Sequence, residues 1–233
     1  MAIAYTMHQR YTFLMQNKFI PLAKVPTLFD LRKDLPGVKA FLFDMDGTLF
    51  NTENLHAEAL FMMAKKYQII PPLSQKDLYP LMVGKADHFL FDIIKDWEGI
   101  PKHWDSTHFI QEKNNNFMQL LPSKSLDSFF SSHVHEFLKE ALKENVFMGL
   151  VTSSEKLVTE ELLKVTNLKN YFDLILTRDD CLKHKPDPWP YIKALELSGH
   201  EKHEVVIFED SAVGLEAAVK SGTHVIKVEW YEA

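Results

Sequence analysis

Phe41-Leu42-Phe43-Asp44-Met45-Asp46-Gly47-Thr48-Leu49-Phe50 begins as an apolar run and changes character at Asp44. Val38 to Phe43, bounded upstream by Pro36-Gly37, reads as a buried strand. Two carboxylates one residue apart stand where that strand stops, and Gly47 lets the chain turn sharply away from them. Side chains at i and i+2 of an extended segment point to the same side. Asp44 and Asp46 therefore converge on one small space at the carboxyl end of a strand, where open α/β sheets place their ligands. Alone, such a pair reads as two solvated turn acids. The rest of the chain decides against that.

Downstream of Ser123 the pattern alternates. Apolar strands are expected at Val146 to Val151, Asp173 to Leu176, Val205 to Phe208 and Thr223 to Val228. Helices are expected between them, at Val134 to Lys143, Glu155 to Val165, Pro188 to Leu197 and Val213 to Lys220. Strands alternating with helices of this length imply a Rossmann-like parallel sheet with helices on both faces. Asn54 to Ser123 is different. Helical spacing recurs at Asn54 to Tyr67, Leu78 to Val83, Phe89 to Ile94 and Phe109 to Leu120, and no alternating strand pattern interrupts it. The reading is an α/β core formed by residues 37–53 and 124–233, with an all-helical cap, residues 54–123, inserted after the first strand. Residues 1–36 form an amino-terminal extension in which Tyr11, Leu14, Met15 and Phe19 have helical spacing. A helix packed on the main domain or on a second subunit is the expectation there.

The polar residues gather at strand ends. The first strand ends in Asp44 and Asp46, the second in Thr152-Ser153-Ser154 and the penultimate in Glu209-Asp210-Ser211. Lys185 lies in the loop after the short third strand. In a parallel sheet these ends share one edge. Clustered carboxylates repel one another unless a cation sits among them, and an oxygen-rich, incomplete shell suits Mg²⁺. A threonine hydroxyl and a lysine ammonium can hold phosphoryl oxygens. One carboxylate can attack phosphorus while its neighbour shuttles a proton.

Composition narrows the partners. The 233 residues carry a formal charge of −6 and no Lys/Arg run, which excludes the basic stripe of a nucleic-acid binder. No apolar run has the length of a membrane span. The lone cysteine, Cys181, cannot form an internal disulfide and suits a reducing compartment, so a cytoplasmic protein is expected.

The motifs resemble those of the haloacid dehalogenase-like superfamily, specifically its beta-phosphoglucomutase and phosphatase-like group with a helical cap after the first motif. Asp44-Met45-Asp46-Gly47-Thr48-Leu49-Phe50 matches the first motif, Val151-Thr152-Ser153-Ser154 the second and Lys185-Pro186-Asp187-Pro188 the third. Phe208-Glu209-Asp210-Ser211, followed by Gly214-Leu215 and Ala217-Ala218, matches the fourth. The resemblance implies that Asp44 is a nucleophile forming an aspartyl-phosphate and Asp46 the general acid/base. It implies Mg²⁺ at Asp44, the Asp46 backbone carbonyl and Asp210, with Glu209 at or near the metal, and a phosphoryl group held by Thr152, Ser153 and Lys185. His56, Gly84, Lys85 and His88 fall where relatives place hinge or substrate-contacting cap residues, though each also reads as an ordinary helix or helix-break residue. Asn51 departs from the group, many of whose members carry an acid there.

The expected function is a Mg²⁺-dependent phosphatase for a small phosphorylated metabolite, a sugar phosphate among the candidates, acting as a monomer or homodimer. Retention of Asp46 keeps proton transfer to an oxygen leaving group, unlike dehalogenase relatives. The alternative is a phosphomutase on the same core. A non-catalytic binding protein on this fold is a third reading, opposed by the presence of every motif residue.

Overall fold

The computed structural model describes residues 19–72 and 87–231. It contains strands β1 (Ile20–Leu22), β2 (Ala40–Phe43), β3 (Phe147–Val151), β4 (Leu174–Leu176), β5 (Val205–Glu209) and β6 (His224–Val228). The helices are α1 (Leu28–Asp34), α2 (Glu53–Lys66), α3 (Asp87–Ile94), α4 (Ser106–Leu120), α5 (Ser132–Lys143), α6 (Lys156–Val165), α7 (Trp189–Ser198) and α8 (Ala212–Ser221). The chain divides into two compact units, one formed by residues up to Asn51 together with Phe129 onward, the other by Thr52–Ser128.

The first unit is an all-parallel, six-stranded sheet in the order β1-β6-β5-β2-β3-β4. After β2 the chain builds β3 and β4 to one side, then returns to build β5 and β6 on the other. β2 is therefore the point where the winding reverses, and a crevice opens at its carboxyl end. Alternation along β2 and β5 divides the core between two faces. Ala40, Leu42, Val205 and Ile207 pack with Tyr191 and Ala194 of α7 and Leu215 and Ala218 of α8. Phe41, Phe43 and Phe208 meet Phe137 of α5 on the opposite face. Phe43 and Phe208, paired in register, stack with centroids 4.8 Å apart. Such ring pairs add about 0.5–1.5 kcal/mol beyond the area they bury. The residue that follows Phe43 in the chain is Asp44, so this packing sets where the acid sits.

The amino-terminal stretch departs from the sequence reading. From Ile20 it belongs to the α/β unit: β1 extends the sheet beside β6, with Ile20 opposite Ile226. Helix α1 packs on α5, where the Leu28 amide donates to Glu140 Oε2 (3.2 Å) and Arg32 pairs with Glu144 (3.2 Å). A three-residue strand has no readable alternation. Its central Pro21, which has no N–H to donate, is tolerated because β1 lies at the sheet edge. Phe19 is in a bend and packs against the core rather than continuing a helix; Tyr11, Leu14 and Met15 lie outside the described residues.

In the second unit α2, α3 and α4 surround a core of Leu60, Met63, Leu90, Ile94 and Phe109. Lys113 of α4 forms a buried ion pair with Asp87, the first residue of α3. The expected helix at Leu78 to Val83 lies outside the described residues. Among those described, no helix is long and apolar enough to cross a membrane.

Candidate active site

The site is assembled at the carboxyl edge of the sheet from β2, β3, β5 and the loop after β4. The Asp44 amide still donates to Phe208 O (3.0 Å), so the backbone stays in the ladder through the first acid. The turn that follows is closed by Gly47 N–H donating to Phe50 O (2.7 Å) and by Leu49 and Phe50 amides donating to Met45 O. Gly47 has φ +84°, and a Cβ there would lie 2.2 Å from Asp210 Oδ2. Glycine is thus required both for the backbone angle and for the approach of Asp210. Thr48, fully buried, donates its hydroxyl to Asp210 Oδ1 at 2.8 Å.

At the end of β3 the Thr152 amide donates to Leu176 O (3.0 Å), and Thr152 Oγ1 accepts the Ser154 amide (3.0 Å). Ser154 Oγ in turn donates to Asp46 Oδ2 at 2.7 Å. Lys185 reaches in from its loop and donates to Asp44 Oδ1 (2.5 Å), Glu209 Oε2 (2.7 Å) and Val151 O (3.0 Å). Three acceptors match the three N–H bonds of an ammonium. Glu209 is fully buried, with Tyr191 Oη donating to Oε2 (2.6 Å) and the Ser211 hydroxyl and amide donating to Oε1 (2.9 and 3.1 Å). Gly214 faces this carboxyl so closely that a Cβ would lie 2.0 Å from it.

Asp44, Glu209 and Asp210 each present a carboxylate oxygen, all within 4.8 Å of one another. Among the described residues, the Lys185 ammonium is paired with two of these three acids. Burial, followed by the Glu209 charge, pushes the Asp44 carboxyl well above the usual carboxylate range, with Lys185 opposing. Burial would lower the Lys185 ammonium, but Asp44 and Glu209 overturn that and hold it charged. Tyr191 is raised, by burial first and then by Glu209, and stays a protonated donor. An all-oxygen donor set with negative charge in excess fits a divalent hard cation, which would balance what Lys185 leaves over.

The structure brings Asp44, Asp46, Lys185, Glu209 and Asp210 to one edge with Thr152, while Ser153 is half-buried beside them. The two motif acids diverge in their partners: Asp44 meets Lys185, and Asp46 meets Ser154. His56 lies in the second unit, its ring stacked on Phe117 at 4.5 Å. Gly84 and Lys85 lie outside the described residues; His88 is in α3, its side chain likewise undescribed. Thr48, Ser154 and Ser211 lie within the quoted motifs with no role assigned to them there, and Tyr191 lies outside every motif. Two serines in succession after Thr152 were the available signal for Ser154. For Tyr191, an apolar-face residue of α7, there was none.

Residues 41–228 match the family model described as haloacid dehalogenase-like hydrolase. The chain is 30% identical over 189 residues to a phosphorylated carbohydrates phosphatase of Thermotoga maritima, covering 79% of this chain and 82% of that one. It is 27% identical to pyrophosphatase PpaX of Bacillus mycoides, covering 83% and 84%. Among solved structures, beta-phosphoglucomutase of Clostridium difficile superposes with a TM-score of 0.69 over 84% of this chain and 86% of that one; at 20% identity that likeness concerns the fold alone. The match spans every element from β2 to β6 and all four strand-end motifs, and on it the chain belongs to the haloacid dehalogenase-like hydrolases.

Proposed function

We propose that this protein is a Mg²⁺-dependent phosphatase that hydrolyses a small phosphomonoester, a phosphorylated sugar in the first instance, through a phosphoaspartate on Asp44. The observation that carries this reading is the Lys185 ammonium shared between Asp44 and Glu209, with Asp210 close enough to complete a three-carboxylate cluster. The relative named as a phosphatase of phosphorylated carbohydrates supports the substrate class.

In this mechanism a carboxylate oxygen of Asp44 attacks phosphorus and the bond from phosphorus to the ester oxygen breaks. Asp46 gives its proton to that oxygen, and the alcohol leaves. Asp46 then takes a proton from water, whose oxygen attacks phosphorus, releasing inorganic phosphate and restoring Asp44. Lys185, with Thr152 and Ser153, holds the phosphoryl oxygens. Asp44, Asp210 and the Asp46 backbone carbonyl would hold Mg²⁺, which when bound neutralises charge on the transferring group. Glu209 would lie at or near that metal. Its two oxygens already accept four donors, so its part is to aim Lys185.

The test is inorganic phosphate release from a panel of sugar phosphates, other phosphomonoesters and pyrophosphate, with Mg²⁺ and with chelator, for wild type and Asp44→Asn. Release that requires Mg²⁺ and falls on the order of a thousandfold or more in Asp44→Asn is expected. Release unchanged by Asp44→Asn overturns the mechanism. Isomerisation of hexose 1-phosphates without net release would assign the chain to the mutases instead.

A further inference from the structure

The last two described residues, Trp230 and Tyr231, follow β6 and return to the turn that carries the first-motif acids. Trp230 Nε1–H donates to Thr48 O at 2.9 Å, and its ring packs against Phe208 with centroids 6.2 Å apart. Tyr231 Oη donates to Leu49 O at 2.8 Å and accepts the Ser131 amide at 3.2 Å. Burial pushes the Tyr231 phenol up to about 12, which leaves its proton in place through the neutral range. These contacts fall on two successive carbonyls of one turn. The same Thr48 donates its hydroxyl to Asp210, and Gly47 in this turn has Asp210 against its α-carbon. Asn51 N–H donates to Phe129 O (2.7 Å), so Tyr231 reinforces a pairing between the chain leaving the sheet unit and the chain re-entering it. Buried carbonyls and buried Trp and Tyr donors find partners in any fold; what is particular here is that both donors fall on the turn that follows the first-motif acids and touches Asp210.

We propose that Trp230 and Tyr231 are positioning residues for the reaction, a carboxyl-terminal strap that fixes the Gly47–Phe50 turn and thereby the placement of Asp46 and Asp210. The proposal rests on the phosphatase reading for its kinetic part only. The strap touches neither Lys185 nor Thr152, so the grip on the phosphoryl group is left intact when it is cut. Loss of the strap therefore lowers kcat and leaves KM nearly unchanged.

The experiment compares Trp230→Phe, Tyr231→Phe and the double variant: Tyr231→Phe keeps the ring and removes only the hydroxyl, while Trp230→Phe keeps an aromatic ring but trades the indole and its N–H for a smaller phenyl. Amide hydrogen exchange on the metal-free proteins is the first readout. Faster exchange at residues 47–51, joined by the Ser131 amide where Tyr231 is replaced, with β2, β3 and β5 protected as in wild type, is expected. The second readout is turnover: kcat is expected to fall about fivefold for Trp230→Phe, as the loss of one neutral hydrogen bond implies, and at least as much for Tyr231→Phe, which loses two, with KM within about twofold. Unchanged exchange at 47–51 in the double variant overturns the strap. Exchange accelerated evenly across the sheet, with kcat falling only as stability falls, also overturns it, because the residues would then be merely structural. Should wild type release no phosphate from any substrate, the phosphatase reading fails while the exchange result still decides whether the strap holds the turn.

Discussion

Among the described residues two lysines are buried, one in each compact unit, and they stand in opposite electrostatic situations. Lys113 in the helical unit has one carboxylate partner, Asp87, and the pair is neutral. Lys185 in the sheet unit is shared by Asp44 and Glu209, with Asp210 beside them, so negative charge is in excess. Both ammonium groups are equally hidden, with side chains 3% exposed. Burial of a charge alone therefore distinguishes nothing. A balanced pair is a finished structural element; an unbalanced cluster is incomplete until something positive joins it. On the proposed mechanism, fixing that imbalance in place is what the sheet unit contributes.

The largest difference between the two should appear on removing each ammonium. Lys185→Met is expected to reduce phosphate release by about 100- to 1000-fold, the scale of losing a donor aimed at developing charge. Lys113→Met is expected to leave turnover of the folded protein within about twofold. It should nonetheless lower stability by about 2–3 kcal/mol, since the partly buried Asp87 carboxylate loses its counter-charge. Replacing both partners, Lys113→Met with Asp87→Leu, should recover most of that loss. Denaturant titration and initial rates on the same preparations measure both. If the two lysine variants lose activity alike, the contrast between the pairs is wrong.

A smaller effect of opposite sign is expected from the acids. Burial and Glu209 raise the Asp44 carboxyl above its ordinary value of 3.8, against the pull of Lys185. A group raised on folding contributes stability that is full below its unfolded value and is lost as the pH rises through its folded one. Metal-free wild type should therefore lose stability as the pH climbs from the acid side toward neutrality. Asp44→Asn should remove that slope and be more stable than wild type at neutral pH in chelator. Asp87→Asn should be less stable than wild type, since it strands Lys113. Added Mg²⁺ should raise the Tm of wild type well beyond that of Asp44→Asn, because a ligand stabilises the state that binds it. Thermal melts across pH, with and without Mg²⁺, decide this.

Part of this contrast was legible in the chain itself. Asp44, Thr152 and Glu209-Asp210 each follow an apolar run, Lys185 lies in the loop after another, and a parallel sheet must bring such ends together, so the cluster could be placed without coordinates. The same alternation located β2, β3, β4, β5 and β6, all of which occur in the fold. What could not be read was of two kinds. β1 is three residues long with a proline at its centre, too short for any period to show. Tyr191, Trp230 and Tyr231 act through a hydroxyl or an indole N–H on an otherwise apolar side chain, and sequence periodicity registers only the apolar part. Lys113 was hidden for a related reason: at helical spacing a lysine reads as a solvated face, and its partner Asp87 is far off in sequence.

A third lysine completes the comparison and carries the smallest expected effect. Lys39, just before β2, pairs with Glu204 at 2.5 Å, but its side chain is 62% exposed. The Lys39 ammonium, with the Glu201 amide, holds the Glu204 carboxyl down to about 2, from an ordinary 4.5. A group lowered on folding contributes stability that is present above its unfolded value and is lost as the pH falls through its folded one. The Tm difference between wild type and Glu204→Gln should therefore be small at about pH 6 and shrink further toward about pH 3. Because the pair faces water, about 1 M salt should also erase most of it, while the same salt leaves the cost of Lys113→Met nearly intact. A difference that survives both acid and salt would overturn the assignment of the Glu204 contribution to its ion pair with Lys39, since glutamine can still accept the Glu201 amide.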